Sequence, residues 1–74
     1  MAVSSAIMAQ RRAQSALAAS PIHDLRDLRV EPLETEDALL IVGRVSSYYH
    51  KQLAQEVVRS VADDVTLVNS IEVH

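Results

Sequence analysis

The stretch 39-LLIVGRVSSYYHKQLAQEVVRSV-61 changes period once. Leu39, Ile41, Gly43 and Val45 occupy every second position, the spacing of side chains on one face of a strand. Beyond Ser46-Ser47 the apolar residues recur every third or fourth place. Tyr49, Leu53, Val57 and Val61 form a stripe, Ala54 and Val58 lie beside it, and Lys51, Gln55 and Arg59 lie opposite. That pattern predicts an amphipathic helix of about four turns, capped by Ser46 or Ser47, because a serine oxygen accepts from an exposed N–H of the first turn. A strand over 38–46 spans roughly 30 Å and a helix over 47–62 roughly 24 Å, so the helix can lie along the sheet.

The remaining elements follow from this centre. LRDLRVEPLE, residues 25–34, reads as a first strand, with Leu28 and Val30 on one side and Arg29, Glu31 and Leu33 on the other. Pro32 carries no N–H and belongs at a strand end, a bulge or a sheet edge. Thr35, Glu36 and Asp37 form a polar turn, which makes the first two strands an antiparallel hairpin. Asp63-Asp64 end the helix, and TLVNSIEV, residues 66–73, is the third strand. Upstream, residues 5–19 are Ala-rich and helix-prone, with a stripe of Ala6, Ala9, Ala13, Ala16 and Leu17 made mostly of methyl groups; Ser20-Pro21 stops this helix. The expected organisation is an N-terminal helix over residues 1–20, partly flexible and loosely docked or exchanged with a partner, followed by one domain over 21–74. The fold class is α/β (α+β): helix-strand-strand-helix-strand, a three-stranded mixed sheet with the helices packed on one face. Strand order stays open, since the third strand can pair in parallel with the second or antiparallel with the first.

Within this fold Gly43, the single glycine, lies on the strand face that receives the helix. It is read as a packing device: either Tyr49 and Leu53 approach where no side chain stands, or a bulge re-aims the strand end. Gly43, Tyr49, Leu53, Val57 and Val61 are thus the expected structural residues. The opposite face carries Leu40, Val42 and Arg44, joined by Val68 and Leu33. A single-layer sheet is expected to be polar on its open side, so these five residues are the candidate interface, most simply with another copy of the chain. Scattered exposed aliphatics are the bland alternative.

Composition narrows the function classes. At 74 residues the chain is one small domain, and such a domain buries only roughly 60% of its unfolded surface. It has no Cys, Trp or Phe, so the core is Val, Leu, Ile and Ala, with a second copy as possible support. A net charge of −3 argues against a nucleic-acid partner. Strand-strand-helix-strand order raises an RNA-binding idea, but no GxxG loop or aromatic stacking strand accompanies it. No apolar run approaches the roughly 20 residues of a membrane span. Arg11-Arg12 interrupt MAVSSAIMAQRRAQSALAAS where a leader would be apolar, so the chain as written is expected in the cytoplasm.

No catalytic, metal or cofactor residues are predicted. His23-Asp24, His50 and His74 show no ligand-pair spacing. Glu34-Thr35-Glu36-Asp37 and Asp63-Asp64 lack EF-hand spacing. Ser46 and Ser47 read as caps rather than nucleophiles. In Tyr48-Tyr49-His50-Lys51, Tyr49 is expected in the core and Tyr48 partly exposed, over a ligand or membrane contact.

The segments Leu39-x-Ile41-x-Gly43-x-Val45, SYYHKQLAQEVVRSV and Leu67-x-Asn69-x-Ile71-x-Val73 resemble, in order and spacing, the BON domain, a small bacterial module of osmotically induced periplasmic and outer-membrane-associated proteins. The resemblance covers about Leu28 to Val73. The family's Gly-Val turn stands here as Asp64-Val65, and the glycine often found between the first two strands is replaced within Thr35-Glu36-Asp37. The resemblance implies the helix-and-mixed-sheet fold, a binding module for phospholipid or envelope surfaces, no enzymatic activity, and a periplasmic or envelope location, in tension with the leader reading. It supplies no ligand residues. The expected function is a non-enzymatic module that attaches to phospholipid or an envelope-associated protein and forms a homo-oligomer through the outer sheet face. The alternative is a small stress-response protein that binds a small ligand or ion.

Overall fold

The structure is a computed structural model in which residues 5–33 and 37–74 are described. Glu34, Thr35 and Glu36, hence most of the expected polar turn and its carboxylates, lie outside the described residues. The elements are α1 (Ser5–Ala18), α2 (His23–Arg26), β1 (Arg29–Leu33), β2 (Ala38–Val45), α3 (Tyr48–Val61) and β3 (Thr66–Val73). Among the described residues the fold is α+β, with three helices and one three-stranded mixed sheet of order β1-β2-β3. β1 runs antiparallel to β2, and β3 runs parallel to β2. That resolves the strand order: the 14-residue α3 is the crossover that a parallel pair requires.

The apolar side chains of alternate strand positions meet the helices in one core. Val30, Leu39, Ile41, Val45 and Ile71 from the sheet pack with Ala54, Val58 and Ala62 of the α3 region. Ala6, Ala9, Ala13 and Leu17 of α1 are fully buried in the same cluster. Small side chains let a helix approach its neighbour closely, and α1 packs on α3 and β1. Arg12 fastens this contact, its Nε donating to Val61 O at 2.7 Å and its Nη2 reaching Asp64 at 3.2 Å. A cation there also complements the negative end of α3.

Three expectations are corrected. The first strand starts at Arg29, and the residues before it form the one-turn α2. Leu25 and Leu28 are both buried; three positions apart, they reach one core from a helical turn, whereas in a strand they would point to opposite sides. Tyr49 is not core: it is 68% exposed, and Tyr48 is 63% exposed. The fully buried positions of α3 are Ala54 and Val58, while Leu53, Val57 and Val61 flank them, partly buried against the core. Continued backwards by four, the buried line reaches His50, so Tyr49 points to solvent.

Leu28, rather than Tyr49, occupies the space over Gly43. A Cβ on Gly43 would stand 2.7 Å from Leu28 Cδ2, and Gly43 has φ of +138°. The backbone angle requires glycine here, and Leu28 would have to shift its methyl to admit a Cβ. No bulge interrupts the β2–β3 register, which runs from Ala38↔Thr66 to Val45↔Val73.

Candidate functional site

The outer sheet face can be read as four rows across the strands. Leu33, Ala38 and Thr66 form the first; Glu31, Leu40 and Val68 the second; Arg29, Val42 and Ser70 the third; Arg44 and Glu72 the fourth. The helices cover the other face. All five expected interface residues, Leu33, Leu40, Val42, Arg44 and Val68, therefore share one surface, in adjacent rows. Leu33, Leu40 and Val42 are half-buried and lie outside the core cluster, and Val68 is 39% exposed. Ala38, buried between Leu33 and Thr66, is outside the cluster too. Two ion pairs rim the patch: Arg29 to Glu31 at 3.7 Å and Arg44 to Glu72 at 3.4 Å. Exposed pairs of this kind contribute only about 0–1 kcal/mol to stability.

Side-chain amides occupy the free edge of β1 and one outward amide of β3. On the free side of β1, Gln14 accepts from the Val30 N–H at 2.9 Å and donates to Leu28 O at 2.8 Å, while Gln10 donates to Val30 O at 2.9 Å. Pro32 shares the parity of Val30, so its missing N–H faces the same edge. On β3 the Thr66 and His74 amides reach Asp37 O and Val45 O, which leaves odd-numbered amides facing outward. Asn69 Oδ1 accepts one of them, the Ile71 N–H, at 3.1 Å. Asn69 Nδ2 is in turn held by Lys51 O at 3.2 Å and Gln55 Oε1 at 3.1 Å on α3. Such contacts blunt an edge against pairing with another strand, along Val30 and Pro32 on β1 and at Ile71 alone on β3. None of the three amides is singled out by composition; the signal for the glutamines is their i,i+4 spacing beside the buried alanine stripe.

A third cluster joins α2 to the start of α3. Asp24 Oδ2 accepts from Ser46 Oγ at 2.6 Å, Ser46 N at 2.7 Å and His50 Nδ1 at 2.8 Å. Ser47 caps α3, accepting from His50 N at 3.2 Å, which leaves the Ser46 hydroxyl for the carboxylate. The histidine must donate, since an ionised carboxylate only accepts. Ser46 and His50 thus converge on one oxygen of Asp24. The sequence signal is that His50 continues the buried line 54-58-62, where a polar side chain calls for a partner.

The hydrogen bonds from the Ser46 hydroxyl and amide, followed by that from His50, hold the Asp24 carboxyl well below the usual carboxylate range. A carboxyl lowered on folding stabilises the fold fully above its unfolded pKa of about 3.9 and loses that contribution as pH falls toward the folded value. Thermal melts of Asp24→Ala should therefore show a lower Tm at neutral pH and a flatter decline below about pH 4 than the parent. Parallel curves for the two proteins would contradict this.

Among the described residues no pocket is found, and no group of three or more His, Cys, Asp or Glu is placed to hold a metal ion. No described helix is long and apolar enough to cross a membrane. No family model, no curated protein and no solved structure matches the chain.

Proposed function

We propose that this chain is a non-enzymatic interaction module of the BON type, which self-associates through the outer sheet face and attaches to phospholipid or to an envelope-associated protein. One observation carries the reading. The open face of a one-layer sheet holds Leu33, Leu40, Val42 and Val68 in adjacent rows, a side expected to be polar when it faces only water. With the β1 edge blunted, that face is the broad surface for a macromolecular contact. The paired tyrosines at the start of α3, beside Lys51, add an exposed amphipathic spot of the kind suited to a membrane interface.

Sizing with light scattering across a dilution series tests self-association. The L40E/V42E variant should be monomeric at concentrations where the parent is not, with unchanged helix content by circular dichroism. A parent that stays monomeric throughout would overturn the oligomer reading. Flotation with vesicles containing anionic phospholipid, at low and high salt, tests attachment: co-flotation of the parent supports the lipid route, and its absence at both salts rejects it.

A further inference from the structure

Resting on the reading of the outer face as an interface, we infer that its occupant is a second copy of this chain, docked face to face about a two-fold axis that runs across the strands, so that Arg29 and Glu31 of each copy meet Glu31 and Arg29 of the other. A two-fold contact places one patch against itself, so the patch must be self-complementary. The β1 edge is taken by Gln10 and Gln14 and lacks an N–H at Pro32, and the apolar residues gather on the outer face, which favours face-to-face stacking over strand addition at that edge. Two such axes keep the strands of the stacked sheets aligned, one along the strands and one across them.

Charge separates the two. An axis along the strands lays β1 over β3. Arg44, on the central strand, would then lie over its own copy, while Glu31 and Arg29 would face Val68 and Ser70. An axis across the strands instead exchanges the second and third rows. Leu40 then packs on Val42, Val68 lies over Ser70, and Arg29 and Glu31, paired within each copy at 3.7 Å, lie over Glu31 and Arg29 of the other copy at two symmetric places. The fourth row falls on the first, so Arg44 and Glu72, already paired with each other at 3.4 Å, face Ala38 and Thr66 at the polar rim. Aligned sheets stack with their strands about 30° apart, a rotation that Arg and Glu side chains so near the axis can follow. The patch spans three strands and four rows, on the order of a few hundred Å² per copy at strand spacings near 4.8 Å. That is the transient class of interface, so the dimer is expected toward the concentrated end of a micromolar-to-millimolar series.

The test is sedimentation of the intact chain over that series at low salt, for the parent, R29E, E31R, the double variant R29E/E31R, and an equal mixture of R29E with E31R. Each single reversal creates like-charge contacts at two places and should weaken self-association at least about tenfold. The double reversal should restore it. The mixture should associate better than either single variant alone, because Glu at 29 and 31 in one copy then meets Arg at 31 and 29 in the other. Circular dichroism should be the same for all, which separates a charge effect from misfolding. If the single variants associate like the parent while L40E/V42E does not, the face is right and this docking is wrong. If neither the double variant nor the mixture recovers association, the docking is likewise rejected. A parent monomeric up to millimolar concentration would overturn both the docking and the self-association on which it rests.

Discussion

Gly43→Ala is expected to lower stability by about 3 kcal/mol, the sum of two separate costs. A side chain forced into a sparsely populated backbone region costs about 1–3 kcal/mol, and Gly43 has φ of +138°. An extra methyl in a packed core costs about 1–3 kcal/mol more, and here the Cβ would meet Leu28 Cδ2 at 2.7 Å. Leu28 is itself buried at 1% exposure, so its methyl cannot turn into solvent. A 74-residue domain has a total stability of only about 4–11 kcal/mol. At roughly 4–8 °C per kcal/mol, the melting temperature should fall by about 12 °C or more. In a Leu28→Ala background the collision is gone but the backbone cost remains, so the two substitutions should be non-additive by about 1 kcal/mol. A Gly43→Ala protein within about 0.5 kcal/mol of the parent, the range of an ordinary surface change, would show that neither constraint operates.

The second large effect is a contrast between neighbours. Ile41 is fully buried on the central strand, between Val30 and Asn69 of the flanking strands. Val42, the next residue, is half-buried on the outer face. Truncation of a buried isoleucine to alanine removes its transfer energy and leaves a cavity, about 2–5 kcal/mol together. Ile41→Ala should therefore cost about 3 kcal/mol, while Val42→Ala in dilute solution should cost under about 1 kcal/mol, its side chain being already wet. Urea unfolding at micromolar concentration reads both, with the slope unchanged so that the midpoints report stability alone. Equal costs, or the reverse order, would mean that the two faces of β2 are misassigned.

How legible these features are in the sequence depends on whether the deciding interaction is local. Strict alternation places β2 and β3 and separates their faces, so Leu40, Val42 and Val68 fall together where parity puts them. The Ser46-Ser47 break places the start of α3 within a residue or two. Legibility fails where several elements compete for one space. Residues 25–28 carry a strand-like composition, but Leu25 and Leu28 both belong to the core, and only a helical turn takes both there. The stripe of α3 admits two phases, through Tyr49 or through His50, and the larger apolar residue suggests the wrong one. What decides is α2, whose Asp24 waits under the first turn for His50, a contact 26 residues apart in the chain. The partners of Gln10, Gln14 and Asn69 are hidden for the same reason: the glutamines show only an i,i+4 spacing, and an amide's partner is a strand backbone placed only by the whole fold.

Because the chain has no cysteine, single thiols can report on β2 directly. Leu40→Cys and Ile41→Cys, labelled with a thiol reagent at micromolar and at millimolar protein, test the docking face most directly. The thiol at 40 should react quickly when dilute and slowly when concentrated, while the thiol at 41 should react slowly at both. Slow labelling at 40 in dilute solution, or labelling there that is indifferent to concentration, would contradict the account.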